Sequence, residues 1–497
     1  MFEDRKTEWL KKAENLKPEL FVRTVRPASG FPDSALKENE SIVLDFGNHF
    51  VGQLTVKLES EGSHPDAPAW LEFKFCENIR EVDETAEDYH GWISKSWIQQ
   101  EQVHVDILPS VLSLPRRYAF RYIKIKILAL SSKYSLVIRD VFARTETSAD
   151  DACIKPFAGE ETDAAIDKVA LRTLRNCMQD VFEDGPKRDR RLWLGDLRLQ
   201  ALTNSVTFRN FNLVKRCLYL FACSADRNGR IPACLFTKPV VSGDDTYLFD
   251  YSLFFIPTLL NYVQATGDRE TVEDLLPLAF RQLEIAERQF DTGTNLIRDD
   301  NRIGWCFVDW NLELNKQFCA HAIWIYCAKA ALQIQNDPAL ELQIKMRRTA
   351  AFTNWYDEKR HLFISGSEKQ ISWASQIWGI LAGIIEGREA EKCLAAVESY
   401  PNAVEIVTPY MMHHYVEALC RTGQKEKARI VIRNYWGGMV KNGADTFWEL
   451  YNPQNPEESP YGSSVVNSYC HAWSCTPAWF YRSGILEAEY PKNGETE

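Results

Sequence analysis

The sequence lacks the long uncharged apolar runs that mark membrane-spanning helices. No stretch of its 497 residues reaches the roughly 18 apolar residues that such a helix requires. The first twenty residues alternate in charge and contain no apolar segment of the kind found in secretory signals. We therefore expect a protein without a membrane partner, located in the cytoplasm.

Cysteine pairs at metal-binding or redox spacing are also missing. The 13 cysteines are scattered at irregular intervals, none of them as CxxC, and their number is odd. This pattern predicts reduced, mostly buried thiols and no zinc site. A Gly-rich phosphate loop, a nucleophile elbow and an HExxH motif are absent from the sequence as well. No metal or other cofactor is expected.

The chain has no surplus of basic residues. Its 58 Lys and Arg residues against 69 Asp and Glu residues give a formal charge of -11. Nucleic acid is therefore not an expected partner, whereas a small neutral ligand remains compatible with this charge. Apolar residues at 45% and charged residues at 26% are typical of a folded globular protein.

Aromatic residues, in contrast, are abundant. The 15 Trp, 19 Tyr and 26 Phe make up 12% of the chain, and many tryptophans stand beside Asp or Glu. Sugars present C–H faces that stack on aromatic rings and hydroxyl groups that need carboxylate partners. The pattern indicates a saccharide pocket, although each tryptophan taken singly is also compatible with a place in the core.

Apolar residues alternate with polar ones between about residues 40 and 147. This period of two predicts half-buried antiparallel strands separated by turns, and hence a β-sandwich. The alternating sets are Ile42, Leu44 and Phe46; Leu54, Val56 and Leu58; Leu71, Phe73 and Phe75; Val103, Val105 and Ile107; and Ile123, Ile125 and Ile127. The charged segment before residue 40 is compatible with a helix or with an arm against another subunit.

Helical spacing replaces the alternation after residue 155. About a dozen helices are predicted, at 162–179, 195–210, 213–226, 248–265, 270–290, 314–335, 338–356, 371–385, 388–400, 409–422, 425–438 and 463–482. Successive hairpins of twelve helices close into an (α/α)6 barrel, and the missing repeat consensus argues against an open α-solenoid. The predicted fold is multidomain α+β: a β-sandwich domain at 1–150 with a charged N-terminal arm, followed by the barrel at 151–497.

The densest group of unusual residues lies between Glu183 and Gln200. It interleaves Asp184, Asp189 and Asp196 with Trp193 and four arginines. A Gly-Pro turn opens the segment, and a helix is predicted to begin at the glycine before Asp196, where the helix dipole favours an acid. A solvated loop of ion pairs is the alternative interpretation.

A second group follows about 260 residues later, in the segments GADTFWELYNP and NSYCHAW. Glu449 directly follows Trp448, and His471 precedes a strongly apolar stretch. A carboxylate framed by aromatic rings is partly desolvated, which raises its pKa or sharpens its basicity. Taken alone, Glu449 is also compatible with a helix cap or a surface position.

Further pairs of acids and aromatic residues lie between these groups. Asp250 stands at the start of a predicted helix, and the segment GWCFVDW ends in Asp309 and Trp310. Sugar contacts and ordinary capping or core roles are both open for these residues.

Several motifs resemble those of the α-L-rhamnosidases, family 78 of the glycoside hydrolases. DGPKRDRRLWLGD resembles that family's DCPxRDExxGWxGD, ADTFWE its ATTxWE, and NSYCHAW its NSxxHYAF. LDFGNHFVGQLTV is similar to the family's β-sandwich opening, LDFGxNxxGxxxV. The four motifs occur in the family's order and cover nearly the whole chain, so the resemblance implies the (α/α)6 catalytic barrel of that family.

The resemblance also implies roles for individual residues. Asp189 takes the position of the general acid and Glu449 that of the general base; substrate contacts fall to Asp184, Trp193, Asp196, Asp250, Asp309, Trp310, Trp448 and His471. The chain departs from the family pattern in two ways. The segment from Asp184 to Asp196 is one residue shorter, and the acid is Asp rather than Glu.

Physical chemistry agrees with these implied roles. Inverting glycoside hydrolysis needs a protonated carboxyl at the leaving oxygen and a carboxylate that activates water on the other face of the sugar. The arginines close to Asp189 would lower its pKa, so most of them are expected to point away.

The expected function is release of terminal α-L-rhamnose from small rhamnosylated glycosides, with inversion and without a cofactor. Another sugar hydrolase on the same barrel and a catalytically silent carbohydrate-binding protein are the alternatives. The sequence leaves the oligomeric state open, including a homodimer.

Overall fold

An antiparallel sheet and a set of helices follow one another along the chain in this computed structural model, which describes residues 2–298 and 306–487. The strands of the sheet are β1 (Phe21–Val25), β2 (Ser41–Gly62), β3 (Ala69–Cys76), β4 (Gln100–Val105), β5 (Ser110–Ser113), β6 (Tyr118–Ala129) and β7 (Tyr134–Thr147). They are arranged in the order β1-β7-β2-β6-β3-β4, and β5 pairs with β2. The predicted antiparallel β region at the N-terminal end is confirmed.

Strand β2 differs from the prediction, because it joins two of the predicted strands into one. Its first half pairs with β6 and its second half with β7 and β5, and the register shifts between Asp45 and Phe50. Gly47 within this irregularity has a φ of 76°, a backbone conformation that glycine adopts without strain. The irregularity lets the chain bend without ending the strand.

Alternation of side chains explains the core of the sheet. Leu44, Leu54, Val56, Phe73 and Ile125 are all fully buried on one face, in the phase that the sequence predicts. Strand β4, however, ends at Val105. The predicted third apolar residue of this set, Ile107, lies outside the strand and is exposed.

The helical part begins at residue 161. Its helices are α2 (Glu161–Cys177), α3 (Leu194–Val206), α4 (Phe211–Ser224), α5 (Phe249–Thr266), α6 (Arg269–Glu287), α7 (Gln317–Ile334), α8 (Pro338–Trp355), α9 (Trp373–Leu381), α10 (Gly387–Ser399), α11 (Pro409–Arg421), α12 (Lys425–Lys441) and α13 (Pro477–Arg482). The twelve predicted helices are confirmed, with one large difference in bounds. Residues 463–476, predicted as helix, form loops and two short 3-10 turns.

Alternate helices pack side by side. Helix α3 contacts α5, α5 contacts α7, α7 contacts α9 and α9 contacts α11. The turn at 472–474 contacts both α11 and α3, and α13 also contacts α3. Three short two-stranded pairings complete the structure: β8 (Leu192–Trp193) with β9 (Cys234–Phe236), β9 with β10 (Ser242–Gly243), and β11 (Tyr356–Asp357) with β12 (Leu362–Phe363). None of the described helices combines the length and apolarity needed to cross a membrane.

The charged N-terminal segment is a helix, α1 (Phe2–Asn15), that packs on α4. One carboxylate of helix α6, that of Asp274, accepts hydrogen bonds from Arg5, from Lys12 at 2.6 Å and from the Trp9 indole at 3.3 Å. Trp9 is buried. Buried apolar area and a shared carboxylate therefore hold α1 against the helical part of the chain.

We expect Trp9→Ala to lower the free energy of unfolding by about 3–5 kcal/mol, because it removes a fully buried aromatic ring. Trp92 is 69% exposed, so the matched variant Trp92→Ala is expected to cost about 1 kcal/mol or less. Urea denaturation followed by circular dichroism measures both. Equal losses for the two variants would contradict the packing of α1 described here.

Candidate active site

A tight loop between α2 and α3 carries the first of the two predicted groups of site residues, which begins with Asp184. The Asp184 N–H donates to the Arg191 carbonyl at 3.0 Å, and the Arg191 N–H donates back to Asp184 Oδ1 at 3.1 Å. Gly185 lies so close to its surroundings that a Cβ atom there would stand 2.6 Å from the Arg188 carbonyl oxygen and from Ser468 Oγ. Only glycine fits this close approach, so the loop brings its side chains directly against the segment around Ser468.

Glu449 lies on the far side of this contact, buried and hydrogen-bonded at both carboxylate oxygens. Oε1 accepts the Tyr461 hydroxyl at 2.7 Å, and Oε2 accepts a guanidinium N–H of Arg188. The Glu449 N–H donates to the Ser468 carbonyl at 3.0 Å. Burial acts to raise the pKa of Glu449, but the charges of Arg188 and His471 outweigh it and lower that pKa below its ordinary value.

Asp189 sits differently from Glu449. Its side chain is 24% exposed, and its Oδ1 lies 3.9 Å from the second terminal nitrogen of Arg188. The same guanidinium stacks over the Tyr461 ring at 4.4 Å and donates from Nε to the Val466 carbonyl at 2.9 Å. Arg188 therefore does not point away from Asp189, contrary to the expectation for most of the arginines, but lies between the two carboxyl groups.

Two further carboxyl groups lie beside this pair. Burial, together with the charges of Asp189 and Asp196, raises the pKa of Asp184 well above its ordinary value. Burial also raises the pKa of Asp196, although His471 opposes this shift from an Nε2 atom 3.2 Å from Asp196 Oδ1. Asp196 stands in the first turn of α3, as the sequence predicts. The structure thus brings the two predicted groups of residues together.

Three tryptophans border the site. Trp193 is half-buried and meets Tyr251 edge to face, with ring centroids 6.2 Å apart. Trp310 faces the Tyr461 ring at 6.5 Å, and Trp448 is buried beneath the Arg80 guanidinium at 5.1 Å. Among the described residues the indole N–H groups of Trp310 and Trp448 have no hydrogen-bond partner. Both nitrogen atoms are buried, so these two donors are unsatisfied within the protein.

Asp250 and Asp309 are buried and hold loops. Asp250 accepts the N–H groups of Phe307 at 3.1 Å and Val308 at 2.9 Å. Asp309 accepts the N–H of Val407 at 2.9 Å and the Thr408 hydroxyl at 2.6 Å. Burial raises the pKa of Asp309 to about 6. Direct sugar contact by either carboxylate stays a prediction; Gly304 and Trp305 of the same predicted segment lie outside the described residues.

Sequence reasoning missed Tyr461. It belongs to a loop of small and polar residues that carries no motif, and only its position against Glu449 gives it importance. A narrow cavity beside Glu449 is lined by Trp448, Leu450, Pro460, Tyr461, Asn467, Ser468 and Tyr469. Within residues 2–298 and 306–487, no three His, Cys, Asp or Glu side chains are grouped as a metal site would need, and all 13 cysteines are unpaired.

This arrangement defines a class of protein. A partly exposed carboxyl and a buried carboxylate with a lowered pKa, at the two ends of one guanidinium and bordered by tryptophans, are typical of a glycoside hydrolase. Two family models match the chain: the glycosyl hydrolase family 78 α-rhamnosidase N-terminal domain over residues 11–145 and the bacterial α-L-rhamnosidase six-hairpin glycosidase domain over residues 160–483. The chain belongs to the family 78 α-rhamnosidases, and it is a hydrolase of that family.

Solved structures agree with this assignment. A rhamnosidase from Klebsiella oxytoca with rhamnose bound is 43% identical, with a TM-score of 0.93, over 96% of this chain and 98% of that one. A family 78 rhamnosidase of Bacillus sp. GL1 shares the fold at 22% identity and a TM-score of 0.73, over 88% of this chain and 46% of that one. No curated protein matches the chain.

We expect Asp309→Asn to lower the free energy of unfolding by about 1–3 kcal/mol. The two Asp309 oxygens accept hydrogen bonds from the backbone N–H groups of Val407 and Thr408, and in asparagine an NH2 group would replace one of these acceptors. Denaturant unfolding measures the loss. Asp245→Asn, at an exposed carboxylate two residues after strand β10, is the control and is expected to leave stability unchanged. An unchanged Asp309→Asn variant would show that the loop at 407–408 does not depend on this carboxylate.

Proposed function

We propose that this chain hydrolyses terminal α-L-rhamnosides and releases L-rhamnose with inversion at the anomeric carbon. The observation that carries the proposal is the placement of Asp189 and Glu449 on the two ends of the Arg188 guanidinium. Membership of the α-rhamnosidase family supports the reaction class. The rhamnose held by the Klebsiella oxytoca rhamnosidase supports the sugar.

Glu449 is proposed as the general base. Its lowered pKa keeps it ionised at neutral pH, as an acceptor of a proton from water must be. A carboxylate oxygen can accept more than one hydrogen bond. The hydrogen bonds from Arg188 and Tyr461 therefore leave Glu449 able to accept a further one from a water. The two protein donors fix the direction in which the remaining lone pairs point.

Asp189 is proposed as the general acid. It gives its proton to the glycosidic oxygen while the bond from that oxygen to the anomeric carbon breaks, and the leaving group departs as an alcohol. The water held by Glu449 adds its oxygen to the opposite face of the anomeric carbon and gives its proton to Glu449. Because Asp189 is partly exposed, solvent can return a proton to it for the next turnover.

The remaining site residues are proposed to bind the sugar. Burial and the neighbouring carboxyl groups raise the pKa of Asp184, which favours its protonated form, and a protonated carboxyl can donate a hydrogen bond to a hydroxyl as well as accept one. The paired Asp196 and His471 offer an acceptor and a donor side by side. The half-buried Trp193 ring offers an apolar face for sugar C–H groups.

We also propose the finer architecture that the sequence predicts: a β-sandwich at 1–150 and an (α/α)6 barrel at 151–497. The contacts run from α3 through α5, α7 and α9 to α11, and the turn at 472–474 contacts both α11 and α3, which supports a closed ring. Small, terminally rhamnosylated glycosides are the substrates that we propose, as the sequence analysis expects.

The function is tested by incubating the protein with nitrophenyl α-L-rhamnoside and with a panel of other nitrophenyl glycosides. We expect release from the rhamnoside, and proton NMR during early turnover is expected to detect β-L-rhamnose first. Release from a different sugar alone would contradict the substrate, and release from none would contradict an active hydrolase. Initial appearance of the α anomer would contradict the inverting mechanism only.

The carboxyl roles are tested with Asp189→Asn and Glu449→Gln. Each is expected to lower kcat at least about 100-fold on an alkyl rhamnoside, because a positioned acid or base contributes 10²–10⁴. Nitrophenolate leaves with little protonation, so Asp189→Asn is expected to lose less on the nitrophenyl substrate. The control is Asp245→Asn, whose exposed carboxylate belongs to neither group. Full activity of Asp189→Asn on the alkyl substrate would move the acid role to another carboxyl.

A further inference from the structure

The connection between strands β3 and β4 reaches out of the sheet and lies against the proposed catalytic loops. We call residues 77–84 the β3–β4 connection. Four of its eight side chains contact the helical part of the chain: Glu77, Arg80, Glu81 and Glu84. The resemblance to family motifs assigns none of them a role, and none touches the cavity beside Glu449.

Glu81 holds the loop of the proposed acid. Its Oε2 accepts the Lys187 ammonium, and its Oε1 accepts the N–H groups of Glu77 at 2.9 Å and Asn78 at 3.0 Å. Lys187 also donates to the Asn467 carbonyl at 2.9 Å. Both ions of the pair are almost completely buried, with 1% of Glu81 and none of Lys187 exposed.

The ion pair between Glu81 and Lys187 bears on the active site because of where Lys187 stands in the sequence. Lys187 immediately precedes Arg188 and Asp189, so a fixed ammonium fixes the backbone that carries the proposed acid. A buried charge that loses its partner is strongly unfavourable, which means that Lys187 cannot leave Glu81 without moving the loop. The pair is therefore a constraint on position as well as on stability.

Two other residues of the connection hold the loop of the proposed base. Glu77 Oε2 accepts the Tyr469 N–H at 2.8 Å, and the neighbouring Ser468 carbonyl is the acceptor for the Glu449 N–H. Glu84 accepts the hydroxyl groups of Ser463 and Ser464, two and three residues beyond Tyr461. The β3–β4 connection thus forms hydrogen bonds both to the loop that carries Asp189 and to the segment beside Glu449.

We infer that Glu81 is a positioning residue: through Lys187 it sets the place of Asp189 relative to Glu449, so the N-terminal sheet is a working part of the active site. This inference rests on the proposed function, because it assigns Glu81 to the acid step of that reaction. A displacement of about 1 Å in a reacting group can cost up to 100-fold in rate. The effect of Glu81 is therefore expected in proton donation rather than in sugar binding.

The test is Glu81→Gln in the full chain. Glutamine keeps the size of the side chain and the oxygen that accepts the two backbone N–H groups, but it removes the charge that holds Lys187. The readout is kcat and KM on a series of α-L-rhamnosides whose leaving groups range from nitrophenolate to a simple alcohol. We expect kcat to fall about tenfold or more for the alkyl rhamnoside and less than about threefold for the nitrophenyl rhamnoside, with KM unchanged.

A second variant covers the case in which Glu81→Gln does not fold. The double variant Glu81→Gln, Lys187→Met replaces the buried ion pair by neutral side chains of similar size, which avoids an unpaired buried charge. It is expected to fold and to give the same dependence on the leaving group. Glu81→Asp, which keeps the charge on a shorter side chain, is expected to recover part of the loss on the alkyl substrate.

Asp167→Asn is the matched control. Asp167 forms a buried pair with Arg482, at 2.7 and 2.6 Å, and contacts neither proposed catalytic loop. This variant is expected to lose stability while its leaving-group dependence stays that of the wild type. The inference would be overturned if Glu81→Gln lost the same fraction of kcat on every substrate or lost none. It would also be overturned if neither Glu81→Gln nor the double variant with Lys187→Met folded. A wild type inactive on all rhamnosides would instead overturn the proposed function.

Discussion

A carboxylate cannot be buried without a partner, and the geometry of this site follows from how Glu449 satisfies that requirement. The partner is Arg188, 261 residues earlier in the sequence, which also stacks on Tyr461. Because Arg188 belongs to the tight loop before α3, the pairing forces that loop against the segment that carries Glu449. The neighbouring Asp189 then lies at the other end of the same guanidinium, with its Oδ1 3.9 Å from Arg188.

The neighbour of Arg188, Lys187, is a buried charge that likewise needs a partner. Lys187 is as buried as Glu449, and its partner Glu81 comes from the connection between strands β3 and β4, 106 residues earlier. Buried ion pairs of this kind seldom increase stability over an apolar core, but breaking one costs several kcal/mol. Their value here is that they fix the relative position of three distant segments of the chain.

Environment also gives carboxyl groups of similar ordinary pKa different chemistry. Asp184 has a raised pKa because it is buried beside other carboxyl groups, whereas Glu449, equally buried, has a lowered pKa because a guanidinium is in contact with it. Asp250 and Asp309 are also buried, but their carboxylate oxygens accept hydrogen bonds from backbone N–H groups of neighbouring loops. The residue type alone therefore does not separate groups that act on substrate from groups that support the site.

Much of the architecture could be predicted from the sequence, because the period of the apolar residues records which face of a strand or helix is buried. Helix α6 was expected at 270–290 and spans Arg269–Glu287. The period failed at β2, since an irregularity between Asp45 and Phe50 shifts the register without ending the strand. It failed again at 463–476, where a run of small and aromatic residues forms irregular loops around the site.

The sequence by itself also determined the family, through motifs whose local spacing survives without any structure. The tertiary structure alone decided that Arg188 lies between Asp189 and Glu449, that Tyr461 binds Glu449, and that Glu81 reaches Lys187. Local patterns cannot encode these pairings, because each joins side chains from different segments, and which charges meet is known only once the segments have packed. The compensation of buried charge, on which the site depends, is a property of the folded chain.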